Sequence, residues 1–122
     1  MIYPKQSGGD EMKNENKNRR FTITVDNEVI PLAFTRYTEP MHKRYFKRNF
    51  FQTLLRITEN MHKITSIPNG MRLAEIVWTL AKTENDKIEP FYKWFDKIEE
   101  FPTMEILPLV INGLKYGGGT NG

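Results

Sequence analysis

FTITVDNEVIPLAF, residues 21–34, is the stretch that decides the fold class. Phe21, Ile23 and Val25 alternate with Thr22 and Thr24, the two-residue period of a half-buried strand. Asp26 and Asn27 follow where a two-residue type I′ turn needs positive φ, a conformation these residues tolerate better than most. The register tests this reading. A two-residue loop pairs Val25 with Glu28, Ile23 with Ile30 and Phe21 with Leu32, and the apolar residues through Phe34 then share one face. A three-residue loop would set Ile23 against Pro31 and scatter them. Pro31 falls on the other face and must leave its missing donor at an edge. A lone hairpin is marginal in water, so its apolar face requires helices.

The chain beyond it supplies them. Across 36–64, Phe46, Phe50, Leu54, Ile57, Met61 and Ile64 recur at helical spacings of three and four, with Phe51 and Leu55 widening the stripe. The pattern fits one helix or two broken near Asn49. TSIPNG (65–70) reads as a break. In 71–85, Leu73, Ile76, Val77 and Leu80 form one stripe, and Met71, Ala74, Trp78 and Ala81 form a second beside it. That arc is too wide for a surface helix facing one core. Either this helix is central or its Trp78 side meets another chain. Residues 86–101 predict an amphipathic helix capped by Asp86, with Pro90 near its first turn and Phe91, Trp94, Phe95, Ile98 and Phe101 on one face. Pro102 closes it, and Thr103 is expected to cap a last helix over 104–114. Apolar residues point almost all round that helix, which predicts that it is largely buried, with Pro108 bending it and Asn112-Gly113 weakening its end.

These elements predict one mainly α-helical (α+β) domain over 21–116: an N-terminal β-hairpin (21–34), then a bundle of about four short helices within 36–115. Residues 1–20 are polar and rich in Asn and Lys, and are expected to form a disordered arm, with Met12 as an alternative start. The Gly-rich residues 117–122 are expected to be a flexible tail.

Composition narrows the function classes. A chain of 122 residues with 39% apolar content builds one ordinary domain and a modest core. The absence of cysteine excludes a disulfide scaffold and Cys-based zinc sites. No apolar run approaches the ~20 residues of a membrane span, and the N-terminus lacks a secretory leader's apolar stretch. These features predict a soluble, unexported protein. The net charge of +3 is uneven: residues 35–63 hold seven basic and two acidic groups, and residues 64–122 hold six basic and eight acidic groups.

A search for chemistry yields no catalytic set. His42 and His62 stand in a basic neighbourhood without carboxylates at ligand spacing, so no metal is expected. Asp96, Glu99 and Glu100 belong to a solvated helix side, unlike catalytic pairs whose pKa values are driven apart by burial. No Ser-His-Asp arrangement is read around Ser7 or Ser66, and GGGTNG lacks the Lys and the strand-loop-helix setting of a phosphate loop. The expectation is a protein without catalysis or cofactor. Nucleic-acid contact is a runner-up reading, in which Lys43, Arg44, Lys47 and Arg48 interleave with Tyr45, Phe46 and Phe50. Protein–protein contact through Met71, Trp78, Trp94 and Phe95 ranks above it, since interfaces favour aromatic anchors.

The order of parts resembles the tail assembly chaperones of long-tailed bacteriophages that infect Gram-positive hosts. FTITVDNEVIPLAF resembles the family's opening hairpin, and MRLAEIVWTLAKTEND its middle helix. PFYKWFDKIEEFPTMEILPLVINGLKYG resembles its closing pair, an acidic amphipathic helix followed by an apolar one. The basic segment 36–63 departs from the family pattern. The resemblance implies a cytoplasmic host-cell protein absent from the mature virion. Its partners would be the tape measure protein, held soluble, and the tail tube protein, with self-association among its copies. It also implies a short form and a frameshifted longer form, with which the Gly117-Gly118-Gly119 run is compatible. A structural head–tail or tail component is a further alternative.

Overall fold

A computed structural model describes residues 18–60 and 67–117. The expected arm up to residue 17, the stripe members Met61 and Ile64, His62, and the tail from residue 118 lie outside the described residues. Strands β1 (Arg19–Val25) and β2 (Glu28–Phe34) form a two-stranded antiparallel hairpin. Among the described residues five helices follow: α1 (Thr38–Phe46), α2 (Phe50–Glu59), α3 (Ile67–Glu84), α4 (Phe91–Asp96) and α5 (Thr103–Tyr116). The chain is thus an α+β fold, a hairpin backed by helices.

The hairpin takes the two-residue register: Val25 opposes Glu28, Ile23 opposes Ile30, and Phe21 opposes Leu32. Asp26 and Asn27 carry φ of 54° and 63°, as a type I′ turn demands. Phe21, Ile23, Val25 and Leu32 are buried, while Pro31 is exposed on the other face. Pairing begins at Arg19, two residues before the expected start, because Arg19 and Arg20 sit opposite Phe34 and Ala33.

The segment after the hairpin is two helices. Lys47 ends α1 in the left-handed conformation (φ 61°), its N–H donating to the Lys43 carbonyl at 2.9 Å. Asn49 then caps α2, its side-chain oxygen accepting from the Gln52 N–H at 2.8 Å. Neither signal lies in the apolar spacing, which continues unbroken through the corner. Helix α3 begins at Ile67, inside the expected break, with Pro68 in its first turn where a missing N–H costs nothing.

Helix α3 is the axis of the fold. Leu73 through Ala81 are buried without interruption. It packs along β2 and touches α1, α2, α4 and α5. Leu73, Ile76, Val77 and Leu80 meet the apolar hairpin face, Phe50, Leu54 and Ile57 of α2, and Ile106, Leu107 and Val110 of α5 in one core.

Four expectations about the C-terminal part need correction. The helix predicted over 86–101 is confined to Phe91–Asp96, with Pro90 and not Asp86 at its N-cap. Beyond it, the Asp26 carboxylate in the hairpin turn accepts from the backbone N–H groups of Glu99 (2.7 Å) and Glu100 (3.1 Å). Those donors are thereby turned toward the hairpin. Helix α5 is not buried all round. Ile106, Leu107, Val110 and Gly113 face the core, whereas Met104, Pro108, Leu109 and Tyr116 are exposed. Its N-cap is Pro102, and Thr103 is its first residue without a side-chain cap.

Gly113 does more than weaken a helix end. A Cβ at this position would stand 2.2 Å from the Phe21 ring, so its absence lets α5 lie against β1. Gly113→Ala gains up to ~1 kcal/mol of helix propensity but forces an overlap that typically costs ~1–3 kcal/mol or more where ring and backbone are both held. The overlap wins here because Phe21, on β1, is itself buried between α5 and the rest of the core. Urea unfolding is expected to show Gly113→Ala less stable by about 2 kcal/mol. Phe21→Leu should cost less in that background than alone. An alanine variant as stable as the parent would contradict the contact.

Candidate functional site

The residues singled out for partner contact converge. Met71, Trp94 and Phe95 pack around a second apolar cluster whose buried members are Ala74, Trp78 and Phe91. Phe95 stacks on Phe91 with ring centres 5.5 Å apart and planes 9° from parallel. Trp78 lies at the base. Tyr45, Phe46 and Phe91 meet its indole edge-on at 5.1, 5.6 and 6.3 Å, and its Nε1–H donates to the Glu89 carbonyl at 2.8 Å.

Trp78 is only 1% exposed, which corrects its reading as a docking anchor. Of the two alternatives for its helix, the central position is the one realised. Aromatic side chains from α1 and α4 close over the second stripe, so no other chain is needed there. Met71, Trp94 and Phe95 remain half-exposed at the rim.

Trp94 also borders a groove of about 880 Å³ between the hairpin turn and the segment joining α4 to α5. Ile30 and Ile98 line it beside the indole, and Asp26, Glu28, Glu99, Glu100 and Glu105 give it a negative border. Lys97 lines it too and is ion-paired with Glu89. Glu99 and Glu100 are exposed, as expected, but on an irregular strap and not on a helix. The groove thus has an apolar wall edged by carboxylates. Asp26 was legible as a turn residue. Its second role, as acceptor for a loop over seventy residues away, had no local signal.

The basic segment divides. Lys43, Arg44 and Lys47 are exposed, with the Arg44 guanidinium 5.7 Å from the Tyr45 ring centre. Arg48 is committed elsewhere: its Nε lies 3.2 Å from Oε1 of Glu75, whose other oxygen is 3.5 Å from Arg72 Nη1. Glu75 is 4% exposed, so Arg48 serves to neutralise a buried carboxylate. Arg48 therefore drops out of the set for nucleic-acid contact. Phe50 is buried and Phe46 packs against Trp78, which removes both as stacking platforms for bases.

His42 is fully buried beside this ion pair, between the rings of Phe46 and Phe50. Its Nδ1 is 2.7 Å from Thr79 Oγ1. That hydroxyl donates to the Glu75 carbonyl at 2.8 Å, so the imidazole must be the donor, as the Nδ1–H tautomer. Among the described residues Nε2 has no hydrogen-bond partner. Burial, and then the charge of Arg48, lower its pKa from 6.5 to about 4. Among the described residues, no three His, Asp or Glu side chains gather as metal ligands, and no helix is long and apolar enough to cross a membrane.

Comparison of the chain with protein-family models, curated proteins and solved structures finds no match.

His42 makes folding stability pH-dependent. The native imidazole stays neutral down to about pH 4, whereas the unfolded one takes a proton near 6.5. Its contribution is therefore complete above pH 6.5 and lost as pH falls toward 4, by about 3 kcal/mol over that window. Urea unfolding at pH 7, 5.5 and 4.5 should trace this decline, and His42→Phe should flatten it. Imidazole ¹H–¹⁵N spectra should show the Nδ1–H tautomer unchanged at pH 6, where a half-protonated ring would refute the burial argument.

Proposed function

We propose that this chain is a non-catalytic binding protein that holds apolar helical segments of a client, and that it acts as a tail assembly chaperone for a phage tape measure protein. One observation carries the reading. With the core around α3 complete, large apolar side chains still stand at the surface of the covering helices. Phe51 and Leu55, one turn apart on α2, are 43% and 56% exposed, and Tyr92 on α4 and Met104 on α5 are exposed as well. Apolar surface grouped on helices marks interaction sites more often than scattered single residues do.

The physical task suits such a surface. A tape measure protein is a long helical chain, and alone it presents apolar stripes that aggregate. Short helices with exposed apolar faces cover such stripes by helix-in-groove contacts. Trp94 provides an aromatic anchor at a groove edge, and Phe95 and Met71 belong to the apolar cluster that it also packs against. The negative border of that groove favours client segments carrying Lys or Arg beside the stripe. The client must be released when tail tube subunits arrive, so single contacts are weak and several copies act together along it. The protein then works in the host cytoplasm and is left out of the finished virion. The contact set of the nucleic-acid alternative has lost Arg48 and its two phenylalanines to the fold.

Co-expression with the tape measure protein of the same genome should raise that protein's soluble fraction and yield a complex that co-purifies. Leu55→Asp should lower the co-purified amount severalfold. Trp94→Leu, which keeps apolar bulk against the core, should lower it without changing the thermal transition by more than a few degrees. An unchanged soluble fraction with no complex, or detection of the chain in purified virions, would overturn the proposal.

A further inference from the structure

We infer that the outer face of α5 pairs with the same face of a second copy, antiparallel, about a two-fold axis level with position 110 of the helix. This goes beyond client binding and does not depend on it. The exposed residues of α5 form one continuous arc of about 140° when placed at ~100° per residue. Along it run, in order, Met104, Lys115, Pro108, Asn112, Glu105 and Tyr116, with Leu109 at the far edge, all solvent-exposed. The buried residues Ile106, Leu107, Val110 and Gly113 occupy the opposite side and lie against β1 and α3.

The arc is matched to itself. In two antiparallel copies of this helix, residues stand level when their numbers are placed symmetrically about position 110. Glu105 of one copy then stands level with Lys115 of the other, and the axis repeats that pairing at the far end. Met104 stands level with Tyr116, and Pro108 with Asn112. Opposite charges therefore meet twice, and apolar groups meet at both ends. The parallel arrangement would set Glu105 beside Glu105 and Lys115 beside Lys115. Charge thus selects the direction as well as the partner. Neither Glu105 nor Lys115 takes part in an ion pair among the described residues. An apolar groove of about 330 Å³ runs along the same face between Pro108, Ile111, Lys115 and Tyr116. It opens where Met104 of the second copy would arrive.

The contact is small. Fourteen residues make a helix only ~21 Å long, and one helix pair falls short of the ~1,200 Å² of buried surface that stable complexes need. The dimer is therefore weak, concentration-dependent and salt-sensitive.

Sedimentation velocity on the full chain, from ~10 μM to ~1 mM, reads the association directly. The parent should show a monomer–dimer equilibrium that weakens as salt rises. Glu105→Lys and Lys115→Glu should each weaken it about tenfold, because each turns both ion pairs into repulsions. The double variant carrying both reversals should recover most of the parent's association, since every pair is again of opposite sign. Both side chains are exposed, and circular dichroism checks that each variant folds. A monomeric parent at ~1 mM would overturn the inference. So would singles that associate like the parent, or a double variant as weak as the singles.

Discussion

Helix α3 has no solvent face between Leu73 and Ala81, and this constraint organises the molecule. A helix of that kind must be enclosed on every side by the remaining chain. The hairpin and α2 cover one flank, α5 another, and α1 with α4 the Trp78 side. Enclosure also strands polar groups, and each is met by a specific device. Glu75 is held by Arg48 and Arg72, Thr79 by His42 and the α3 backbone, and the Trp78 indole N–H by the Glu89 carbonyl. These pairings tie α1 and the approach to α4 onto α3 with directional bonds. Apolar contact alone leaves such orientations free.

The same enclosure explains why apolar residues remain outside. In so short a chain most elements must cover the core, and few remain to cover the covers. α2 and α5 therefore bury one side and present residues such as Leu55 and Leu109 on the other. Their outer faces follow from closing α3 with short helices, which leaves apolar side chains at the surface. The groove beside Trp94 has a related origin. Asp26 draws the 97–102 strap to the hairpin turn by accepting two of its N–H groups, and the strap leaves a cleft bordered by carboxylates.

Charge in the basic segment has two meanings that composition cannot separate. Lys43 and Arg44 are solvated, whereas Arg48, four residues on, neutralises a carboxylate inside the fold. The two cases look alike in sequence because the deciding residue, Glu75, is twenty-seven positions away. His42 repeats the pattern. Alone in a basic run it suggests nothing, yet its burial against Thr79 makes it an acid-sensitive link between α1 and α3.

Local chemistry was enough to determine the hairpin, its turn, its register and its apolar face, because alternation and positive-φ residues act within a few positions. It was enough as well for the double stripe that makes α3 unusual, and for Phe91, Trp94 and Phe95 sharing a side. It could not choose between a central α3 and one facing another chain, since both bury Trp78. Only the tertiary structure decided that, through Tyr45, Phe46 and Phe91 closing over the indole. It also ended α4 at Asp96, turned one side of α5 outward, and made Gly113 a point of contact. Each of these depends on a partner far along the chain, Asp26 for the strap and Phe21 for Gly113, and distant partners leave no trace in local periodicity.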